Sequence, residues 1–187
     1  MTLALVVAFV ALHAAFMWAR FAIFRISGHT PAGVRLIEAS ATASIALGVV
    51  LILMRPAGGR WLDLLAVIAA IISTALFVWG LRSVRPMQLT AAFSTDLPAE
   101  LVRTGAFAFV RNPFYLAYII AHALPVAASR SFCAIPAALW MGAIYTRAAI
   151  LEERKFLASP RADDFRRYAA ETGRFFPRLV RLTGGRR

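Results

Sequence analysis

The chain has 187 residues, of which 60% are hydrophobic and 16% charged, yet it carries a net charge of +12. One core of this size cannot hide so much apolar surface, so an ordinary soluble enzyme is excluded, and the +12 belongs to the flanks of a membrane protein and is no nucleic-acid footprint. A lone cysteine, Cys133, excludes a disulfide framework and a cysteine-based zinc site, and no metal centre is expected. Of the 21 basic residues all but Lys155 are Arg, a bias that points to a GC-rich bacterial gene.

Five apolar runs follow in chain order, each long enough to be read as a membrane helix. The first covers Leu3 to Phe24 and contains Arg20. A cleaved signal peptide is the alternative for it, but no basic region precedes the run, so it reads as a retained anchor. The second runs from Leu36 to Met54, with small residues (Ala39, Ala41, Ala43, Ala46, Gly48) that suit close helix packing. The third, Leu62 to Leu81, has only Ser73 and Thr74 as polar interior residues and Asp63 at its edge. The fourth, Pro113 to Ala128, carries His122 and Pro125, and the fifth, Phe132 to Ile150, carries Pro136. Little more than Ser129-Arg130 joins the last two, which makes them an antiparallel hairpin.

The fold class is therefore an all-α integral membrane protein with about five spans and a C-terminal amphipathic helix. Residues 1–85 form a three-helix scaffold and 86–187 carry the chemistry. Loops one and three and the tail hold 18 of the 21 basic residues, leaving Arg55, Arg60 and Arg130 for the other side. By the positive-inside rule, the tail is cytoplasmic and the N-terminus outside, in a bacterial inner membrane. His13 and Glu38 read as packed or interfacial residues.

Polar residues concentrate in the second half. Loop three, Arg82 to Arg111, is long and mixed, and its apolar members (Phe93, Leu97, Leu101, Val102, Phe107, Phe109) predict an ordered segment packed on the membrane domain. Asn112-Pro113 at the entrance to helix four reads as an N-cap with Pro at the first helical position, and a helix start is a ready anion site. Helix five ends in Glu152, Glu153, Arg154 and Lys155. Because helices four and five form a hairpin, this acidic pair and the Arg111–Tyr115 entrance are expected side by side. The tail predicts an amphipathic helix over Ala162 to Thr172, ended by Gly173, with Phe165, Tyr168, Phe175 and Phe176 inward and Arg166, Arg167 and Arg174 on lipid headgroups.

Gly105-Ala106-Phe107, followed by Arg111-Asn112-Pro113-Phe114-Tyr115-Leu116-Ala117, resembles a signature of the isoprenylcysteine carboxyl methyltransferase and phospholipid methyltransferase superfamily. There the stretch reads Gly-x-Tyr, three residues, Arg-His-Pro-x-Tyr-x-Gly. A second element, Glu-Glu, an apolar residue, spaced aromatics and a late Pro, is matched by Glu152-Glu153, Phe156, Phe165, Tyr168 and Pro177. The likeness covers Leu101 to Pro177. Asn112 replaces the usual His, Phe107 a Tyr and Ala117 a Gly, and Ser159-Pro160-Arg161 stands where Phe-Gly is usual. Asn hydrogen-bonds but does not titrate, so position 112 cannot serve as a base.

The resemblance implies a methyl transfer from S-adenosylmethionine to a lipid or membrane-embedded acceptor, with the cofactor pocket cytoplasmic. It implies cofactor contacts from Ala99, Glu100, Leu101 and Val102, from Phe107, from Asn112, Pro113, Phe114 and Tyr115, and from Glu152. The family's substrate-side Arg falls on Ala148, which leaves Arg147 as the nearest candidate. In this reading Glu152 pairs with the cofactor ammonium, Arg111 receives its carboxylate, Arg147 orients the acceptor, and Glu153 is the base where one is needed. The alternatives are a membrane reductase of related fold using NADPH and a non-catalytic scaffold or transporter.

Overall fold

The computed structural model describes residues 1–25, 30–84, 89–90 and 100–178. Six helices lie among them: α1 (Thr2–Ala22), α2 (Ala32–Leu53), α3 (Arg60–Arg82), α4 (Pro113–Ser129), α5 (Ala134–Leu157) and α6 (Ala162–Glu171). The class is all-α. The only described strands are β1 (Phe24–Arg25) and β2 (Leu89–Thr90), two residues each, paired in parallel with Phe24 opposite Leu89. A 3-10 turn over Gly105–Ala108 precedes α4.

All five apolar runs are helical. Four of the helices, α1, α2, α3 and α5, are long and apolar enough to cross a membrane. The fourth run forms α4, an apolar helix of 17 residues, or about 25 Å. It differs from the others in burial: 11 of its 17 residues are buried, against four of 22 in α2. α4 is thus the core of the bundle, flanked chiefly by α3 and α5. The outer helices turn Leu3, Trp18, Leu53, Ile71 and Leu139 outward, as a lipid-facing surface requires. α5 continues about two turns past Ile150, carrying its charged end clear of the apolar run.

Close packing onto α4 has identifiable causes. The buried Ser73 hydroxyl of α3 donates to the Ala117 carbonyl of α4 at 2.7 Å, which satisfies a polar group with no water at hand. Pro125 lacks the N–H that would bond the preceding turn, and its ring nests against Gly48 of α2. A Cβ at Gly48 would stand 2.9 Å from Pro125 Cγ and 3.0 Å from Phe9 Cε1. Of the small residues expected to pack in α2, Gly48 is buried, whereas Ala39, Ala43 and Ala46 face outward.

The arginine-poor end is locked by one carboxylate. Asp63 at the start of α3 accepts from Arg55 Nη1 and from Arg130 Nη2, both at 2.7 Å. The three side chains are nearly buried, at 13%, 8% and 9% exposure. Arg55 also donates to Thr2 Oγ1 at 3.0 Å and to the Ala128 carbonyl at 3.3 Å, and Arg130 donates to the Pro56 carbonyl. Four helix ends therefore meet at Asp63. Arg130 sits in the left-handed region (φ 59°) that the tight α4–α5 connection demands.

Asp63→Ala is expected to strand two shielded guanidiniums and to cost about 3 kcal/mol, read as a lower midpoint of thermal unfolding in detergent. Gly48→Val is expected to push α2 off α4 and cost roughly 1–3 kcal/mol by the same measurement.

Candidate functional site

The arginine-rich end of the bundle is organised by a second carboxylate. Glu153, near the end of α5, accepts five hydrogen bonds. Two come from Arg111, Nε at 3.1 Å and Nη2 at 3.3 Å. One comes from Asn112 Nδ2 at 3.0 Å. Two come from Arg174 of the tail, Nε at 3.1 Å and Nη2 at 2.8 Å. Glu153 in turn raises the proton affinity of Arg174 above its ordinary value, chiefly through these hydrogen bonds. Arg111 also donates to the Ala169 carbonyl at 3.2 Å and to the Thr172 carbonyl.

The backbone reinforces the clamp. Arg111 N donates to Gly173 O at 2.8 Å and Asn112 N to Arg174 O at 3.2 Å, and Val110 pairs with Gly173. Gly173 is required by this approach, because a Cβ there would meet the Phe176 carbonyl oxygen. The tail is thereby tied across the entrance to α4. Phe165 and Tyr168 of α6 are buried as expected, whereas Phe176, also expected inward, is exposed, and the Tyr168 hydroxyl donates to the Phe107 carbonyl at 2.6 Å.

This geometry changes the roles of four residues. Asn112 occupies the N-cap position of α4 with Pro113 next, as expected, but its side chain bonds Glu153 and makes no cap. Arg111 is committed to Glu153 and to tail carbonyls, so it is not free to receive a ligand carboxylate. Glu153 has about four lone-pair directions and five donors on them, so its oxygens are fully engaged. Arg174, expected at lipid headgroups, points inward instead. Arg166 and Arg167 pair within α6 with Asp163 and Asp164 at 2.5 and 2.6 Å.

Beside the clamp lies a small cavity of about 40 Å³. Glu100, Leu101, Val102 and Phe107 from the loop line one side of it, with Leu89. Arg111, Asn112, Glu152 and Glu153 line the other, with Phe156, Phe165 and Tyr168 closing it by aromatic faces. A neighbouring recess of about 20 Å³ adds Pro113, Phe114 and Tyr115, and it shares Phe107, Asn112 and Glu152 with the first. Eleven of the 13 sequence-predicted site residues thus meet in one place. Ala99 lies outside the described residues. Arg147 is exposed on α5 and lines neither cavity, while Ala148 beside it is fully buried in the core.

Glu152 is the chemically distinctive member. No arginine pairs with it among the described residues, and the buried Tyr115 hydroxyl lies within hydrogen-bonding reach of its carboxylate. The loop wall is set by Gly105, whose φ of +59° opens the 3-10 turn, and by Ser83 at the end of α3, whose Oγ accepts from Ala106 N at 3.0 Å. A Cβ at Gly105 would fall on Ser83 Oγ.

A larger cavity, about 120 Å³, opens within the bundle between α1, α2, α4 and α5. Its polar residues include His13, His122, Tyr118 and Tyr145, and at its mouth Arg20 pairs with Glu38 at 3.2 Å. Tyr115 lines both this cavity and the recess that holds Glu152. Sequence reading missed the cavity because its residues are spread over four helices that no local pattern brings together; the only signal was His13 and His122, one in each of two apolar runs. No protein-family model matches the chain, and no curated protein matches it.

Glu153→Ala is expected to cost roughly 3 kcal/mol by leaving Arg111 and Arg174 without their counter-charge, with Glu153→Gln intermediate. The readout is thermal unfolding in detergent, together with earlier protease cleavage of the tail beyond Thr172.

Proposed function

We propose that the chain is an integral membrane methyltransferase that moves a methyl group from S-adenosylmethionine to an acceptor held in the membrane. In this reading α4 is a fifth span, and the arginine-rich end, with the Glu152 cavity, faces the cytoplasm of a bacterial cell. The observation that carries it is the meeting of loop, α4 entrance and α5 exit around one aromatic-walled cavity holding the Glu152 carboxylate. The likeness of these same stretches to the isoprenylcysteine carboxyl methyltransferase and phospholipid methyltransferase superfamily supports it further.

The chemistry of the lining fits a zwitterionic nucleoside, and the cavity of about 40 Å³ must widen to admit one. Phe107 and the stacked pair Phe156–Phe165 supply an aromatic lining for a purine. Glu152, which has the Tyr115 hydroxyl and the Lys155 charge near it but no arginine on it, would pair with a ligand ammonium. Arg111 being occupied, a carboxylate falls to the backbone N–H groups of the first turn of α4. When bound, the cofactor supplies a methyl group on a sulfonium, a transfer that asks the protein for alignment and dryness more than covalent help. The chain's own residues meet that demand: the Glu153 clamp fixes the cavity walls, and the buried Tyr115 ring separates the polar recess from the bundle cavity through which a lipid-like acceptor would approach. Neither Asn112 nor Glu153 is available to take a proton, so an acceptor that is already an anion suits the site best.

Calorimetric titration of the full chain in detergent tests the reading. S-adenosylhomocysteine is expected to bind and NADPH not to bind. Glu152→Ala is expected to weaken S-adenosylhomocysteine about ten- to a hundredfold while the unfolding midpoint stays close to wild type. Binding of NADPH alone, or undiminished S-adenosylhomocysteine binding to Glu152→Ala, overturns it. Incubation with methyl-labelled cofactor and a membrane lipid extract then identifies the acceptor.

A further inference from the structure

Two arginines of α5 take no part in the contacts described so far. Arg147 and Arg154 are exposed, and neither has a hydrogen bond or an ion pair among the described residues. By contrast, Arg20 is held by Glu38, Arg111 and Arg174 by Glu153, and Arg166 and Arg167 by Asp163 and Asp164.

The spacing puts the two arginines on one stripe. Seven residues at 3.6 per turn bring the helix back to nearly the same side, about 10 Å further along. Another seven residues back on that stripe is Trp140, which is exposed, as are Leu139 and Ala143 beside it. Trp140 Nε1 donates to Ser40 Oγ of α2 at 3.2 Å, so the stripe runs along the outer seam between α2 and α5. Leu36, one turn before Ser40 on α2, is exposed as well.

Charge and depth narrow what covers this stripe. α5 is long and apolar enough to cross a membrane, so an outward stripe of Leu139, Trp140 and Ala143 suits lipid. The apolar run of α5 ends at Ile150, which places Arg147 about 4–5 Å inside it. A guanidinium at that depth needs a counter-charge or must reach for the interface. No carboxylate of the chain pairs with it among the described residues. The phosphates of the bilayer lie just beyond the end of the apolar run, at the level of Arg154, with apolar chains hanging from them. A guanidinium matches phosphate through paired N–H donors. Two guanidiniums together carry two positive charges, which a net-negative head group complements and a zwitterionic one, with its own cation, does not.

We infer that Arg147 and Arg154 form a binding site for one anionic phospholipid of the leaflet at the arginine-rich end. Its phosphate lies between the two guanidiniums, and its acyl chains run along Ala143, Leu139 and Trp140, with Leu36. The site uses neither cavity and no cofactor, so it stands independently of the methyl-transfer reading.

The test is native mass spectrometry of the full chain in neutral detergent, with phosphatidylglycerol or phosphatidylcholine of the same acyl chains. One phosphatidylglycerol per chain is expected to be retained, about ten- to thirtyfold more tightly than phosphatidylcholine, as two arginine contacts allow. Arg147→Gln combined with Arg154→Gln is expected to bring the two lipids level. Arg166→Gln combined with Arg167→Gln removes the same charge elsewhere at this end and is expected to keep the preference. The unaltered chain provides a second measurement that does not depend on a variant folding: its midpoint of thermal unfolding is expected to rise saturably with phosphatidylglycerol and not with phosphatidylcholine. Glycerol phosphate, a head group without chains, is expected not to displace the lipid at millimolar concentration. Equal retention of the two lipids, an equal loss of preference on changing Arg166 and Arg167, an unfolding midpoint indifferent to phosphatidylglycerol, or displacement by glycerol phosphate overturns the proposal.

Discussion

Everything at the arginine-rich end depends on one buried carboxylate. Glu153 draws donors from the entrance of α4, through Arg111 and Asn112, and from the tail, through Arg174. These segments are some 20 to 40 residues away from it in sequence, and two positive charges of this kind would repel each other without it. With the carboxylate in place, the tail crosses α4, Tyr168 reaches the Phe107 carbonyl, and the aromatic walls of the small cavity close around Glu152. The adjacent acids therefore differ: Glu153 is taken up by the clamp, whereas Glu152 lines the cavity beside it.

The opposite end repeats the device. Asp63 holds Arg55 and Arg130 as Glu153 holds Arg111 and Arg174. A bundle in lipid gains nothing from hiding apolar side chains from apolar solvent, so its helices need packing and polar contacts to choose their neighbours. Here two carboxylate–arginine clamps fix the ends, and Ser73 on the Ala117 carbonyl, with Gly48 against Pro125, fixes the middle. α4, which takes part in or adjoins each of these contacts, is consequently the most buried helix although it is the shortest of the five apolar ones.

Between the clamps lie two cavities of opposite character. One is polar, aromatic and at the end of the bundle; the other is apolar, larger and within it. Tyr115 belongs to the wall of both, so a molecule in one is a single side chain away from a molecule in the other. In the proposed methyl-transfer reading, that arrangement would let a water-soluble cofactor and a lipid-soluble partner meet without either leaving its own medium.

Much of this was legible in the amino-acid sequence. Apolar runs of 16 to 22 residues can only be helices in lipid, because no other unbranched segment satisfies its own backbone, and all five are. The short Ser129-Arg130 connection by itself required α4 and α5 to be antiparallel neighbours, and so brought Arg111–Tyr115 beside Glu152-Glu153. What sequence could not assign was the partner of each charge. Arg174 read as a headgroup anchor and Glu153 as a free acid, because a guanidinium at a membrane exit looks the same whether it points to lipid or to a carboxylate. Likewise His13 and His122 lie more than 100 residues apart on separate helices, and no local pattern tells that their rings meet. Helix existence follows from local composition and solvent; pairing of charges and the shape of a cavity are decided only when distant segments are packed together, and here that was the work of the tertiary structure.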